Sequence, residues 1–263
     1  MNMRRHLWLI CGLSVVIFII AMLLPSVPQP VEYHDFADQR SFLGIPNFND
    51  VISNLAFLLS GGAGLMFLWR VQKTPTQTAF YNLKESLPYW VLFLSVTLVA
   101  FGSIYYHWAP DIDRLLWDRV PIVIAIAALL SATLIERISP VIGFKALPVL
   151  VVLAMMSVLY WYWTEQQGIG NLNFYIVMQY YSILLIVWIC SRFQSRYSFG
   201  NDVHQVMVLY AVAKVAEFLD RPIFAWTDGW ISGHTLKHLI AAYAAYRIVQ
   251  ILRKRFYFDG VVL

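Results

Sequence analysis

The residues best suited to chemistry stand in Gly233-His234-Thr235-Leu236-Lys237-His238, at the head of the last hydrophobic segment. Histidines four apart lie about 40° apart around a helix, one turn above the other. Both imidazoles can therefore reach one metal ion. Ser103 and His107 repeat the four-residue spacing at the end of another apolar segment, and Asp118 follows where the next one begins. Three imidazoles plus water make a tetrahedral zinc site with an open position, and zinc lowers the pKa of that water to roughly 7. A carboxylate can orient or deprotonate the water, a role open to Asp118. A hydroxyl can donate to a developing oxyanion, and Ser103 shares the face of His107. A lone histidine pair at this spacing is commonly incidental. With a third histidine, a serine and an aspartate beside it, the set points to metal-assisted hydrolysis of a carbonyl compound at a membrane surface.

The elements that must position these residues are apolar helices. Of 263 residues, 60% are hydrophobic and 13% charged, against about a quarter charged in soluble domains. The hydrophobic runs make this an all-α polytopic membrane protein. Residues 7–24 form an N-terminal apolar run before a proline-rich stretch. With no small-x-small cleavage site after it, the run reads as an uncleaved anchor rather than a signal peptide. Seven further spans fall at about 51–69, 87–107, 117–135, 147–163, 172–190, 203–219 and 231–252. The chain thus divides into a cytoplasmic tip and anchor helix over 1–30 and a seven-helix membrane domain over 31–263. Short connections predict antiparallel neighbours. Cys11 and Cys190 each lie inside a span and have no metal-ligand spacing. The net charge of +4 is scattered between spans, which reads as topology and not as nucleic-acid binding.

Basic residues set the expected orientation. With the N-terminus cytoplasmic, twelve fall on the cytoplasmic side: Arg4, Arg5, Arg70, Lys73, Lys84, Arg137, Lys145, Arg192, Arg196, Arg253, Lys254 and Arg255. Only four, Arg40, Arg114, Arg119 and Arg221, fall outside, and Lys214, Lys237 and Arg247 lie within spans. Both termini are then cytoplasmic. Ser103, His107, Asp118, His234 and His238 all come to one depth, toward the non-cytoplasmic face.

Other polar residues have plainer readings. His6, His34 and His204 are expected at interfaces or in loops, and Asp111 and Asp113 in a solvated loop. Lys214, Glu217 and Asp220 follow at three-residue spacing and form a polar stripe on the seventh span, which Lys237 could face. Interhelical ion pairing is the structural reading of that stripe, and contact with a lipid headgroup the functional one.

Taken together, Ser103-x3-His107, Asp118 eleven residues on, and His234-x3-His238 in the last span resemble the motif set of the alkaline ceramidases. Their wider superfamily includes the progestin and adiponectin receptors. Asn49-Asp50-Val51-Ile52-Ser53-Asn54 is similar to the Asn-x-x-Ser-Asn entry to that family's first core helix, and Leu219-Asp220 to its Leu-Asp pair. The resemblance covers about residues 35–250. It implies a seven-helix zinc amidohydrolase with zinc on His107, His234 and His238, water handled by Asp118, and Ser103 assisting at the oxyanion. The substrate implied is ceramide or a related lipid amide in the bilayer, cleaved to a fatty acid and a long-chain base. A receptor-like lipid-binding protein with a structural zinc is the alternative. A transporter lacks support, since no pair of spans carries a Gly/Pro-broken repeat. The resemblance also implies calcium near Asp35-Phe36-Ala37-Asp38-Gln39-Arg40, with Asp35, Asp38 and Asn47 as oxygen ligands. Arg40 stands where the family has asparagine. The competing reading is a loop in which Arg40 pairs with Asp35 or Asp38.

Overall fold

A computed structural model describes residues 3–74 and 79–258, and the regular structure of the described chain is all helical, with no strand. The helices are α1 (Met3–Leu23), α2 (Phe48–Ser53), α3 (Leu55–Lys73), α4 (Leu87–Trp108), α5 (Ile112–Arg137) and α6 (Pro140–Gln166). They continue with α7 (Asn173–Ile176), α8 (Ser182–Arg192), α9 (Val203–Phe218), α10 (Asp220–Trp226) and α11 (Gly233–Lys254). Five helical segments are long and apolar enough to cross a membrane: 48–73, 83–108, 112–137, 140–166 and 173–192. The expected anchor is a shorter apolar helix, and the expected seventh span is a helix of 16 residues. The structure therefore supports a multi-pass helical protein without fixing a count of seven plus one.

A ring of helices surrounds one interior. Contacts run from α3 to α4, α4 to α5, α5 to α8, α8 to α9, α9 to α11 and back from α11 to α3. Helix α6 packs on the outside of α5. Helix α5 is the most enclosed of the five spans, which fits its long run of small and aliphatic residues, Ala125 to Ile135. Helix α1 touches only α7 and the turn after it among the stronger contacts. There Ser14 Oγ meets Tyr181 Oη at 2.8 Å, and Asn173 Nδ2 donates to the carbonyl of Ala21 at 3.0 Å.

Close approach of α4 and α5 depends on Gly102. A Cβ there would lie 2.2 Å from the carbonyl oxygen of Trp117. Pro121, four residues on, has no N–H to offer that carbonyl. The freed carbonyl faces the bare Gly102 backbone, as small residues at membrane helix interfaces allow. This contact draws Ser103 and Asp118, the next residues along each helix, toward each other.

At the end of the bundle remote from the histidines, charged groups are buried in pairs. Arg255 pairs with Glu136, which also accepts from Tyr89 Oη. Arg196 pairs with Glu85 at 3.2 Å, and Arg137 donates to the carbonyls of Cys190 and Gly200. Such pairs tie the chain after α11 to α4 and α5. Removing one partner of a buried pair typically costs 3–5 kcal/mol, because the other charge is left in low dielectric.

Candidate metal centre

His107 comes from the last turn of α4, and His234 and His238 from the first two turns of α11. Ser232 caps α11 by accepting from the Thr235 N–H at 2.9 Å. The chain turns into α11 through Gly233, where a Cβ would lie 2.1 Å from the carbonyl of Ala216. Asp220 fixes the same corner: its Oδ1 accepts from the His234 N–H at 2.7 Å, and its Oδ2 from the Ala37 N–H at 2.9 Å.

The three imidazoles converge. One nitrogen from each lies within 4.8 Å of the others, and all three side chains are buried. His107 Nε2 is 3.2 Å from His234 Nε2. His107 is 1% exposed and its Nδ1 has no hydrogen-bond partner. The outer nitrogen of His238, Nδ1, sits 2.8 Å from Ser53 Oγ, whose own hydrogen is donated to the Asp50 carbonyl at 3.1 Å. That arrangement favours the proton on Nδ1 and turns the Nε2 lone pair inward, as the second shell of metal-binding histidines commonly does. The Asp50 carboxylate accepts from Thr235 Oγ1 at 2.6 Å, so α2 and α11 are locked together behind the three histidines. Phe36 packs against the cluster from the loop side, its ring centroid 4.6 Å from that of His107 and 4.5 Å from that of His234. Three buried neutral nitrogen donors facing one point suit a borderline-soft divalent metal such as zinc.

Ser103 and Asp118 stand beside the histidines. The Ser103 hydroxyl is directed at the Asp118 carboxylate. Both line a cavity inside the helix ring, together with His238 and Lys237. Toward the other end the cavity is walled by aliphatic side chains, among them Leu92, Val96, Ile122, Leu129 and Ile186. Two further polar walls come from the π-helical turn 177–181 between α7 and α8, which presents Gln179, and from α9. Gln179 Nε2 donates to Tyr210 Oη at 2.7 Å.

The polar stripe is divided between two tasks. Glu217 takes Lys214 from its own helix and Lys237 from α11, the latter at 3.0 Å. Lys237 Nζ also lies 2.8 Å from His234 Nε2, so the ion pair reaches the histidine cluster itself. Asp220 leaves the stripe, because α9 ends at Phe218 and a new helix begins. Instead it anchors the head of α11.

The expected calcium ligands are held by other groups. Asp35 pairs with Arg221, and its side chain is more than half exposed. Asp38, 1% exposed, holds Arg40 through both carboxylate oxygens and accepts from Asn49 Nδ2 at 2.8 Å. Burial works against its charge, but the Arg40 and Asn49 hydrogen bonds outweigh that and hold the carboxyl below its ordinary range. Asn47 Nδ2 donates to the carbonyl of His107 at 2.9 Å. The loop therefore supplies its own cation, Arg40, and Asn47 braces the end of α4.

His34 is not a free loop residue. Its Nδ1 meets Tyr106 Oη at 2.9 Å, next to His107. His204 pairs loosely with Ser191 at 3.2 Å, and the side chain of His6 lies outside the described residues. Asp111 caps α5 through the Arg114 N–H, and Asp113 accepts from Tyr162 Oη at 2.9 Å.

Sequence reasoning passed over two residues. Phe36 gave no signal, since an aromatic in a polar loop has no periodicity to read. Arg119 was counted only as an outer basic residue, yet it is 4% exposed and lines the cavity. A charge inside the first turns of an apolar span was the signal available for it. In comparison with known proteins, no family model, curated protein or solved structure matches this chain.

Proposed function

We propose that the protein is an intramembrane zinc-dependent hydrolase that cleaves the amide bond of ceramide or a related lipid amide. The observation that carries this reading is the convergence of His107, His234 and His238 beside an apolar cavity that His238, Ser103 and Asp118 line. His107, His234 and His238 would hold the metal, which when bound polarises a carbonyl and acidifies water. The chain's own residues supply the rest. Asp118 accepts the proton of the attacking water, and Ser103, directed at Asp118 in the free protein, donates to the carbonyl oxygen as charge develops there. The water oxygen bonds to the carbonyl carbon and the carbon–nitrogen bond breaks. The proton held by Asp118 passes to the leaving amine, releasing a fatty acid and a long-chain base. Phe36 keeps bulk water from the histidines on the loop side, and the aliphatic walls receive the acyl chain. In this reading both termini are cytoplasmic and the metal site faces the opposite side, where the basic residues are few.

Asp118→Asn tests the reading. It keeps the shape of the side chain and removes its basicity. The purified variant is expected to retain zinc and to lose roughly 10²-fold or more in amide hydrolysis, the usual scale for removal of a general base. Zinc lost along with activity would make Asp118 a ligand. That would close the open position and favour the receptor-like alternative.

A further inference from the structure

The cavity beside the histidines has an excess of positive charge at its polar end. Arg119, Lys214 and Lys237 line it, against Asp118 and Glu217. Glu217 is shared between both lysines. Arg119 makes no ion pair among the described residues. Its single hydrogen bond runs from Nη2 to Gln29 Oε1, a neutral acceptor, while Nε and Nη1 are buried without partners. The guanidinium is held in place by aromatic rings, 4.1 Å from the centroid of Trp161 and 4.7 Å from that of Tyr175. A buried guanidinium with unmade hydrogen bonds is costly to keep. Cation–π contact offsets part of that cost and leaves the group oriented, with two buried donor nitrogens unpaired and a geometry suited to a planar anion. Arg119 lines the same cavity as Asp118 and Ser103, so a ligand held by it would share that cavity with the reacting bond.

We infer that the substrate is an acyl amide whose amine side bears a carboxylate, an N-acyl amino acid, and that Arg119 recognises that carboxylate. The inference rests on the hydrolase reading and sets an amino acid in place of the long-chain base. Water adds to the acyl carbonyl and the carbon–nitrogen bond breaks. The products are a fatty acid and a free amino acid whose amine takes the proton from Asp118. A neutral ceramide offers Arg119 only hydroxyls and an amide carbonyl, which compensate a guanidinium less well than a carboxylate does.

The test uses the zinc-loaded full-length protein in detergent with N-palmitoylglycine, its methyl ester and a ceramide. The free acid is expected to exceed the ester in kcat/KM by about tenfold, the scale of one charge-assisted hydrogen bond. In Arg119→Gln the acid-to-ester ratio should fall to near one, chiefly through KM, and Arg119→Lys should recover part of it. Equal cleavage of acid and ester by the unaltered protein overturns the inference and leaves the hydrolase reading standing. So does an acid that only inhibits while ceramide is cleaved, because Arg119 would then be reading a product carboxylate. If no amide is cleaved, the hydrolase reading itself fails, and binding decides the narrower point. A rise in melting temperature with the acid but not the ester, absent in Arg119→Gln, supports a carboxylate ligand. Equal rises refute it. The acid–ester comparison in the unaltered protein needs no variant to fold.

Discussion

At the scale of single residues, the cluster is built so that one nitrogen of each imidazole lies within 4.8 Å of the other two. His238 is aimed by Ser53 through Nδ1, and His234 is set by the capped start of α11. His107 has no partner for Nδ1, so its orientation comes from packing between Phe36 and Tyr106. If these nitrogens hold one ion, the three-ligand site predicts about one zinc per chain in the purified protein. His238→Ala removes one of three ligands and is expected to lose most of that zinc, as measured by elemental analysis. Full retention in the variant would dismiss His238 as a ligand.

At the scale of elements, two corners decide whether the site exists. One is the α4–α5 contact at Gly102. Gly102→Val would place side-chain atoms against the Trp117 carbonyl and push Ser103 away from Asp118. Overpacking of this kind typically costs about 1–3 kcal/mol. On the proposed hydrolase reading, in which Ser103 and Asp118 act at one carbonyl, hydrolysis should fall more than stability, and the two are read separately by melting temperature and rate. Normal turnover in that variant would argue that this approach does not position the chemistry. The other corner is the Asp35–Asn49 loop. Asp38 already holds a guanidinium, and a divalent cation there would have to displace Arg40 or share its charge. Activity is therefore expected to be the same with added calcium and with a calcium chelator. A calcium-dependent increase would restore the loop as an ion site.

At the scale of the molecule, the bundle separates two kinds of buried polarity. The histidines, Asp118 and the lysine–glutamate pair gather at one end, while Glu85, Glu136, Arg196 and Arg255 pair at the other. A membrane protein can bury such groups only when they are paired or have work to do. The paired end carries the basic residues expected in the cytoplasm. A reporter fused to the C-terminus should accordingly be active only when it is a cytoplasmic reporter. Activity of an exported reporter at that position would reverse the molecule and turn the histidines inward.

Helical class and the composition of the histidine cluster were legible from the chain alone. Apolar runs interrupted by short polar turns leave a helix as the way to satisfy backbone hydrogen bonds in lipid, and residues four apart share a helix face wherever the helix lies. That is why Ser103 with His107, and His234 with His238, could be paired without coordinates. Which helices meet is a different kind of fact. The α2–α11 contact that brings Ser53 to His238 joins residues 185 apart in the chain, and no periodicity encodes it. The Arg40–Asp38 pairing, the placing of Phe36 over the histidines and the caging of Arg119 by Trp161 and Tyr175 are likewise products of packing. Each depends on which surfaces remain once the helices have closed around the cavity. Spacing along one strand of sequence supplied the candidate ligands; tertiary contact alone decided which charges near them are paired and which still have a hydrogen bond to give.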